Sequence, residues 1–209
     1  MKLLVATRSA GKQREIRRLL AGADVDVVFP DEAGVVESTE EARLELGESF
    51  SANARAKAEY FAKQTGLPTV ADDSGLEVIA LGGEPGVRSK RWAGQTGPES
   101  VVDAANNAML LQRLRGAPAV KRRARYRCVL VFYRTPKAFP ETYEGVCNGS
   151  ILEEPRGAGG FGYDPLFLSD ELGKSFGEAT PEEKDSVSHR ARAFRALRAA
   201  LQTHSEERA

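Results

Sequence analysis

The 209-residue sequence predicts an α/β protein with a mixed β-sheet. Three observations carry that class. Short apolar runs of strand length recur along the chain. Segments with apolar residues at helical spacing stand between them. In the second half, two long β-rich stretches flank a connection containing Pro136 and Pro140, which reads as a hairpin. At about 150 residues per domain the length suits one domain over 1–209. Such a chain can bury a core without disulfides or metal.

The elements follow in order. Leu3-Leu4-Val5-Ala6 is a strand suited to burial on both faces. Thr7 to Gly11 is loop material, and from Lys12 the spacing of Ile16, Leu19 and Leu20 predicts a helix ending near Gly22. Asp24 to Phe29 reads as a second strand, and the acidic, poorly periodic stretch 31–48 as mostly loop. Ser49 or Ser51 can cap a helix running to Gln64, with Gly66 as its left-handed stop and Pro68 beyond. Thr69 to Val78 reads as short apolar runs flanking Asp72-Asp73 and a Ser74-Gly75 turn. Gly82 to Gly86 is a loop, and Glu99 to Arg115 a helix stopped by Gly116. Arg125 to Arg134 and Thr142 to Ile151 are the hairpin strands, followed by a glycine-dense loop from Gly157 to Tyr163. Thr180-Pro181-Glu182-Glu183 is a capping box. Ser188 then starts a last helix, with Ala193, Leu197 and Leu201 on one face, and a tail expected to fray over His204 to Ala209.

Composition excludes several classes. Lys plus Arg and Asp plus Glu both number 30, so the net charge is zero, which argues against a polynucleotide partner. The basic clusters Arg14, Arg17, Arg18 and Lys121 to Arg125 read as solvated surface. The longest apolar run, Cys128 to Tyr133, has six residues, so no membrane span is expected. Met1 to Ala6 is too short for the apolar core of a secretory signal. Cys128 and Cys147 suit buried, reduced thiols in a cytoplasmic protein, and His189 and His204 cannot build a His-rich metal site.

Four features could carry chemistry. The strand-loop-helix at the N-terminus can hold phosphate on backbone N–H groups, with Lys12 adding a charge. It is not a P-loop, because Ala6 and Gln13 stand where that motif needs Gly and Ser/Thr. A plain tight turn explains the loop equally well. Asp72-Asp73-Ser74-Gly75 places two carboxylates where a shared cation such as Mg²⁺ would relieve their repulsion, and Glu45 could supply another. A solvated Asx turn is the competing reading. Gly159-Gly160-Phe161-Gly162-Tyr163-Asp164-Pro165 combines close backbone approach with an aromatic surface for a base, or is a loop around a buried Phe161. Lys184 and Ser188-His189-Arg190 are donors for an anion or a carbonyl, or else a solvated helix end.

The four occur together and in order, and the chain resembles the inosine and xanthosine triphosphate pyrophosphatases. The matching stretches are Ala6 to Lys12, Glu45 to Phe50 with Asn53 and Lys57, Ala71 to Leu76, Gly82 to Val87, Gly159 to Pro165, and Glu183-Lys184 with Ser188-His189-Arg190. They extend from about residue 3 to residue 200. Two positions depart from the family pattern: Ser9 replaces the usual Asn, a shorter donor, and the usual aromatic near Arg88 is replaced.

The resemblance implies a long mixed sheet flanked by helices, two lobes with a central nucleotide cleft, and a cytoplasmic homodimer. It implies Mg²⁺-dependent hydrolysis of dITP, ITP or XTP to the monophosphate and pyrophosphate. In that frame Asp73 orients or deprotonates the water and joins Glu45 and Asp72 as a candidate metal ligand. Thr7, Arg8, Ser9, Ala10, Gly11 and Lys12 grip phosphate, with Lys57 a weaker candidate. Ser74 contacts substrate, and Phe161 stacks on the base. Gly162, Tyr163 and Asp164 shape the base pocket, and Lys184, His189 and Arg190 reach the base edge. The alternative function is a Maf-like pyrophosphatase acting on pyrimidine or modified nucleotides.

Overall fold

Leu3, Leu4 and Val5 are fully buried in β1 (Lys2–Val5), so the first apolar run is a strand covered on both faces. The computed structural model describes residues 1–206, with side chains through residue 202. After β1 come α1 (Ala10–Leu19), β2 (Asp26–Val28), α2 (Phe50–Thr65), β3 (Thr69–Val78), α3 (Glu99–Arg113), β4 (Arg123–Tyr133), β5 (Glu141–Ile151), β6 (Phe167–Ser169), α4 (Pro181–Val187) and α5 (His189–Glu206). The strands form one six-stranded sheet in the order β2-β1-β3-β4-β5-β6. It is mixed: β1 runs parallel to both β2 and β3, whereas β5 and β6 are antiparallel.

The chain forms two compact units. The first comprises Met1–Asp73, Cys128–Gly145 and the chain from Ala191 onward; the second comprises Ser74–Arg127 and Val146–Arg190. Strands β3, β4 and β5 each pass from one unit into the other.

In the first unit, strand alternation builds a core on each side of the sheet. Leu3, Val5, Val70, Leu130 and Phe132 pack with Ile16 and Leu20, the first from α1 and the second just past its end, and with Phe194 and Leu197 of α5. Their neighbours Leu4, Ala71, Val131 and Tyr133 pack with Ala54, Ala58 and Phe61 of α2. The small α2 residues let that helix lie close against the sheet. In the second unit, Leu76, Leu110, Leu114, Tyr126, Phe167 and Phe176 form the core. The Tyr126 and Phe167 rings lie 4.7 Å apart and those of Phe167 and Phe176 5.0 Å apart. Both cysteines are buried thiols.

Local signals set several boundaries. Ser49 caps α2 by accepting from the Ala52 amide, and Gly66 ends it at φ +69°. Thr180 and Glu183 complete the capping box of α4. Two expectations need correction, and one strand went unread. Residues 69–78 are one continuous strand, and Ser74-Gly75 lies within it rather than in a turn. Its place between β1 and β4 in the sheet recruits the whole segment, and Lys12 and Lys57 beside Asp72 and Asp73 permit their burial. β6 went unanticipated, because three residues offer no readable period. α5 continues through Glu206, three residues into the tail expected to fray; residues 207–209 lie outside the described chain.

Candidate functional site

In the first unit, β3 delivers Asp72 and Asp73, with side chains essentially inaccessible to solvent at Asp72 and 9% exposed at Asp73. Buried carboxylates need paired charge. Lys12, in the first turn of α1, places its ammonium 3.0 Å from Asp72 Oδ2. Lys57, on α2, donates to Glu45 Oε1 and to the Asp72 backbone oxygen, each at 2.8 Å, and lies 3.6 Å from Asp73 Oδ1. Asn53, one helical turn before Lys57, donates to Asp73 Oδ2 at 2.8 Å and accepts from the Gly47 amide at 2.7 Å. One turn of α2 therefore ties the acidic segment bearing Glu45 to the acids of β3.

This arrangement shifts both groups. Burial raises the Asp73 carboxyl, with Lys57, Lys12 and Asn53 opposing part of the rise. Burial alone would lower the Lys57 ammonium, but Glu45, Asp73 and Asp72 outweigh it and hold the lysine above its ordinary value. The result is a firmly charged lysine beside a carboxylate made more basic than usual.

The N-terminal loop leads into α1 through Ser9, whose side chain does not cap the helix. The first turn of α1 carries no acidic residue to offset the positive end of its dipole. Thr7 Oγ1 accepts from the Ser9 amide, and Gln13 donates to the Thr7 carbonyl at 3.1 Å. Ala10 and Gly11 open the helix. Arg8 turns to other partners. Its guanidinium makes two bonds to Glu41 at 2.7 and 2.8 Å, pairs with Asp31 and donates to the Val35 carbonyl. It staples the acidic stretch that the sequence shows only as loop.

In the second unit, Asp164 anchors the glycine-rich loop. Its Oδ2 accepts from the Phe161 amide at 2.8 Å and from the Lys184 ammonium, and its Oδ1 accepts from the Tyr126 hydroxyl at 3.4 Å. Gly160 has φ +74°, and a Cβ there would collide with Asp164 Oδ2, so both backbone and space require glycine. Lys184 Nζ lies 5.0 Å from the centre of the Phe161 ring, and Arg190 Cζ 5.7 Å from it. Arg190 also donates to Ser74 Oγ at 2.7 Å. The His189 ring stacks on Tyr126 at 4.6 Å and 8°. Asp164, Lys184, His189 and Arg190 are each under 5% exposed. The solvated-end reading of this helix start is therefore excluded. Tyr163 is buried and donates to the Ser89 carbonyl at 2.8 Å; burial raises its phenol, and the charge of Asp103 adds to the rise.

Thus Lys12, Glu45, Asp72 and Asp73 are brought together in the first unit. Ser74, Phe161, Asp164, Lys184, His189 and Arg190 are brought together in the second. Asn53, Gln13 and Tyr126 support these groups without having been assigned roles from sequence. Asn53 had a signal, being one turn before Lys57 in a matching stretch; Gln13 and Tyr126 had none.

A mixed sheet whose strand β3 carries two buried acids, each faced by a lysine from a helix of the same unit, defines the class: an α/β protein with a buried, charge-paired site. The chain belongs to the Ham1 family, whose model matches residues 3–200. It is 46% identical over 205 residues to a dITP/XTP pyrophosphatase of Thermus thermophilus, covering 94% of this chain and 90% of that protein. It is 44% identical over 201 residues to one of Escherichia coli O157:H7, covering 96% and 98%. Among solved structures, a HAM1 protein from Coxiella burnetii matches with a TM-score of 0.83 at 35% identity, covering 97% of this chain and 99% of that one. A dITP/XTP pyrophosphatase from Mycobacterium abscessus matches with a TM-score of 0.72 at 43% identity, covering 94% and 98%. Nothing in these matches supports the Maf-like alternative. Among the described residues, no helix is long and apolar enough to cross a membrane.

Proposed function

We propose that the protein hydrolyses dITP, ITP and XTP to the nucleoside monophosphate and pyrophosphate, clearing non-standard purine nucleotides from the pool. One observation carries the reading. Three consecutive residues of β3 each engage a buried or half-buried cation: Asp72 holds Lys12, Asp73 faces Lys57, and Ser74 accepts from Arg190. Phosphate binding needs the lysines, water activation needs a basic carboxylate, and base selection needs a directional donor. Relatives named dITP/XTP pyrophosphatases support the same substrate class.

In this mechanism, Lys12 and the N–H groups from Thr7 to Lys12 bind the triphosphate at the start of α1. Asp73 takes a proton from the attacking water, held for the task by Asn53 and Lys57. The water oxygen bonds to the α-phosphorus, the α–β phosphoanhydride breaks, and pyrophosphate leaves. Phe161 stacks on the base, and Arg190 and Lys184 donate to a purine 6-oxygen. An adenine 6-amino group would meet them donor to donor, a mismatch that rejects a ligand strongly.

Mg²⁺ fits the donor set. Glu45, Asp72 and Asp73 offer only oxygen, and Glu45 Oε1 and Asp73 Oδ1 already converge on one cation, the Lys57 ammonium. Among the described residues no group of three or more acidic, His or Cys side chains is placed to hold a metal alone. One or two carboxylates with water and substrate phosphate completing the shell is the usual Mg²⁺ pattern. When bound, the ion would neutralise charge gathering on the departing pyrophosphate. The reading includes a homodimer in the cytoplasm, where the nucleotide pool lies and thiols stay reduced.

The test is pyrophosphate release with Mg²⁺ from ITP, dITP, XTP, ATP and dCTP. Preference for the first three is expected; comparable turnover of ATP or dCTP would overturn the specificity.

A further inference from the structure

Helix α3 grips the loop that carries Phe161. Asp103 Oδ2 accepts from the Gly162 amide at 2.7 Å, and Asn107 donates to the Gly162 carbonyl at 2.9 Å. Asp103 and Asn107 are four residues apart and share a face of the helix. Gly162 itself has φ +65°, so the loop reverses at this residue. The amide on the other side of Phe161 is already committed, since Phe161 N–H donates to Asp164 Oδ2. Both peptide groups flanking Phe161 are therefore pinned, one from within the loop and one from α3. Asn107 keeps its orientation although its Oδ1 is buried with no hydrogen-bond partner. Reversing the amide would set that oxygen against the Gly162 carbonyl. A buried unsatisfied oxygen is costly, which marks the bond to Gly162 as the reason for the orientation.

We propose that Asp103 and Asn107 are positioning residues that clamp Gly162 and so set the plane of the Phe161 ring for purine stacking. The inference rests on the proposed function for the identity of the ligand, and on the loop geometry for the clamp. Phe161 is half-buried, and two cations, Lys184 and Arg190, lie within 6 Å of its ring centre. Its tilt decides whether a base stacked on it also meets those donors. Loss of the clamp should weaken base binding while leaving the hydrolytic step largely intact, because Asp73 and Lys12 belong to other elements.

The experiment compares Asp103→Ala, Asp103→Asn and Asn107→Ala in the full-length protein. Amide hydrogen exchange of the 158–166 segment reads the clamp without substrate. Asp103→Ala should speed exchange at Gly162 by about tenfold, the equivalent of one lost hydrogen bond. It should raise KM for ITP by about five- to thirtyfold with kcat within about threefold, the signature of lost binding rather than lost chemistry. Asp103→Asn keeps an acceptor oxygen and should restore both values to within about threefold of wild type. Thermal melting establishes that each variant is folded. Unchanged exchange in Asp103→Ala and Asn107→Ala would overturn the clamp. Faster exchange with an unchanged KM for ITP would overturn its role in base positioning. A wild-type protein that releases no pyrophosphate from any purine triphosphate would defeat the proposed function instead, and exchange would still judge the clamp.

Discussion

Asp73 lies among Lys57, Lys12 and Asn53, and its carboxyl is raised because burial outweighs what those neighbours offer. Replacing it with Asn preserves volume and removes the base. Asp73→Asn should lower kcat by about 10²–10⁴-fold, the usual worth of a positioned general base, while circular dichroism stays that of the wild type. A rate within tenfold of wild type would take Asp73 out of that role. Arg190 bears on selectivity. Arg190→Ala should reduce the ITP-over-ATP ratio of kcat/KM by about tenfold or more, because the donor that rejects an amino group is gone; an unchanged ratio would assign selection elsewhere. At this scale the sequence showed which residues carry charge but not whom they meet. Lys12, Asp72 and Arg190 stand in recognisable stretches. The partners of Arg8, by contrast, are Asp31 and Glu41, 23 and 33 residues away. No local period encodes that pairing; it depends on the course of an aperiodic loop.

Among the elements, α4 links fold and site most directly. It is a seven-residue helix held at its start by a capping box, and it carries Lys184. Thr180→Ala removes the oxygen that accepts from the Glu183 amide and should cost about 1 kcal/mol. In a chain of this size that corresponds to a Tm lowered by about 2–4 °C. Because Lys184 rides on the helix, KM for ITP should rise with it, and Thr180→Ser should rescue both; a Tm shift without a KM change would show the cap to be purely structural. Caps were legible because they are local chemistry: Ser49, Gly66 and Thr180 act within four residues of themselves. The continuity of β3 was not. Asp-Asp-Ser-Gly favours a turn in isolation, and only flanking strands and neutralising lysines make ten residues of strand the lower-energy choice.

Zero net charge across the whole molecule conceals ordered local pairing. Arg122, in a basic cluster expected at the surface, is buried and donates to the carbonyls of Leu114, Ile151 and Leu152. Its neighbours Arg123 and Arg125 pair with Asp170 and Glu77. The acids proposed for Mg²⁺ are likewise matched by Lys12 and Lys57. Chelation with EDTA should therefore abolish pyrophosphate release, with recovery on adding Mg²⁺, yet move Tm by less than about 2 °C, since Asp72 and Asp73 each already face a lysine. Full activity in EDTA would remove the metal from the reaction.

The sequence by itself determined the order of the elements other than β6, several helix stops and caps, and the ordered motifs that carry the family resemblance. All of these are written in short-range patterns of polarity, glycine and capping residues. Only the tertiary structure decided that Arg8 serves the acidic segment, that β3 runs unbroken through both acids, and that α3 reaches the Phe161 loop across 55 and 59 residues of chain. Those outcomes turn on burial and on partners distant in sequence. A charge takes the role its neighbours permit, and the neighbours exist only once the chain has folded.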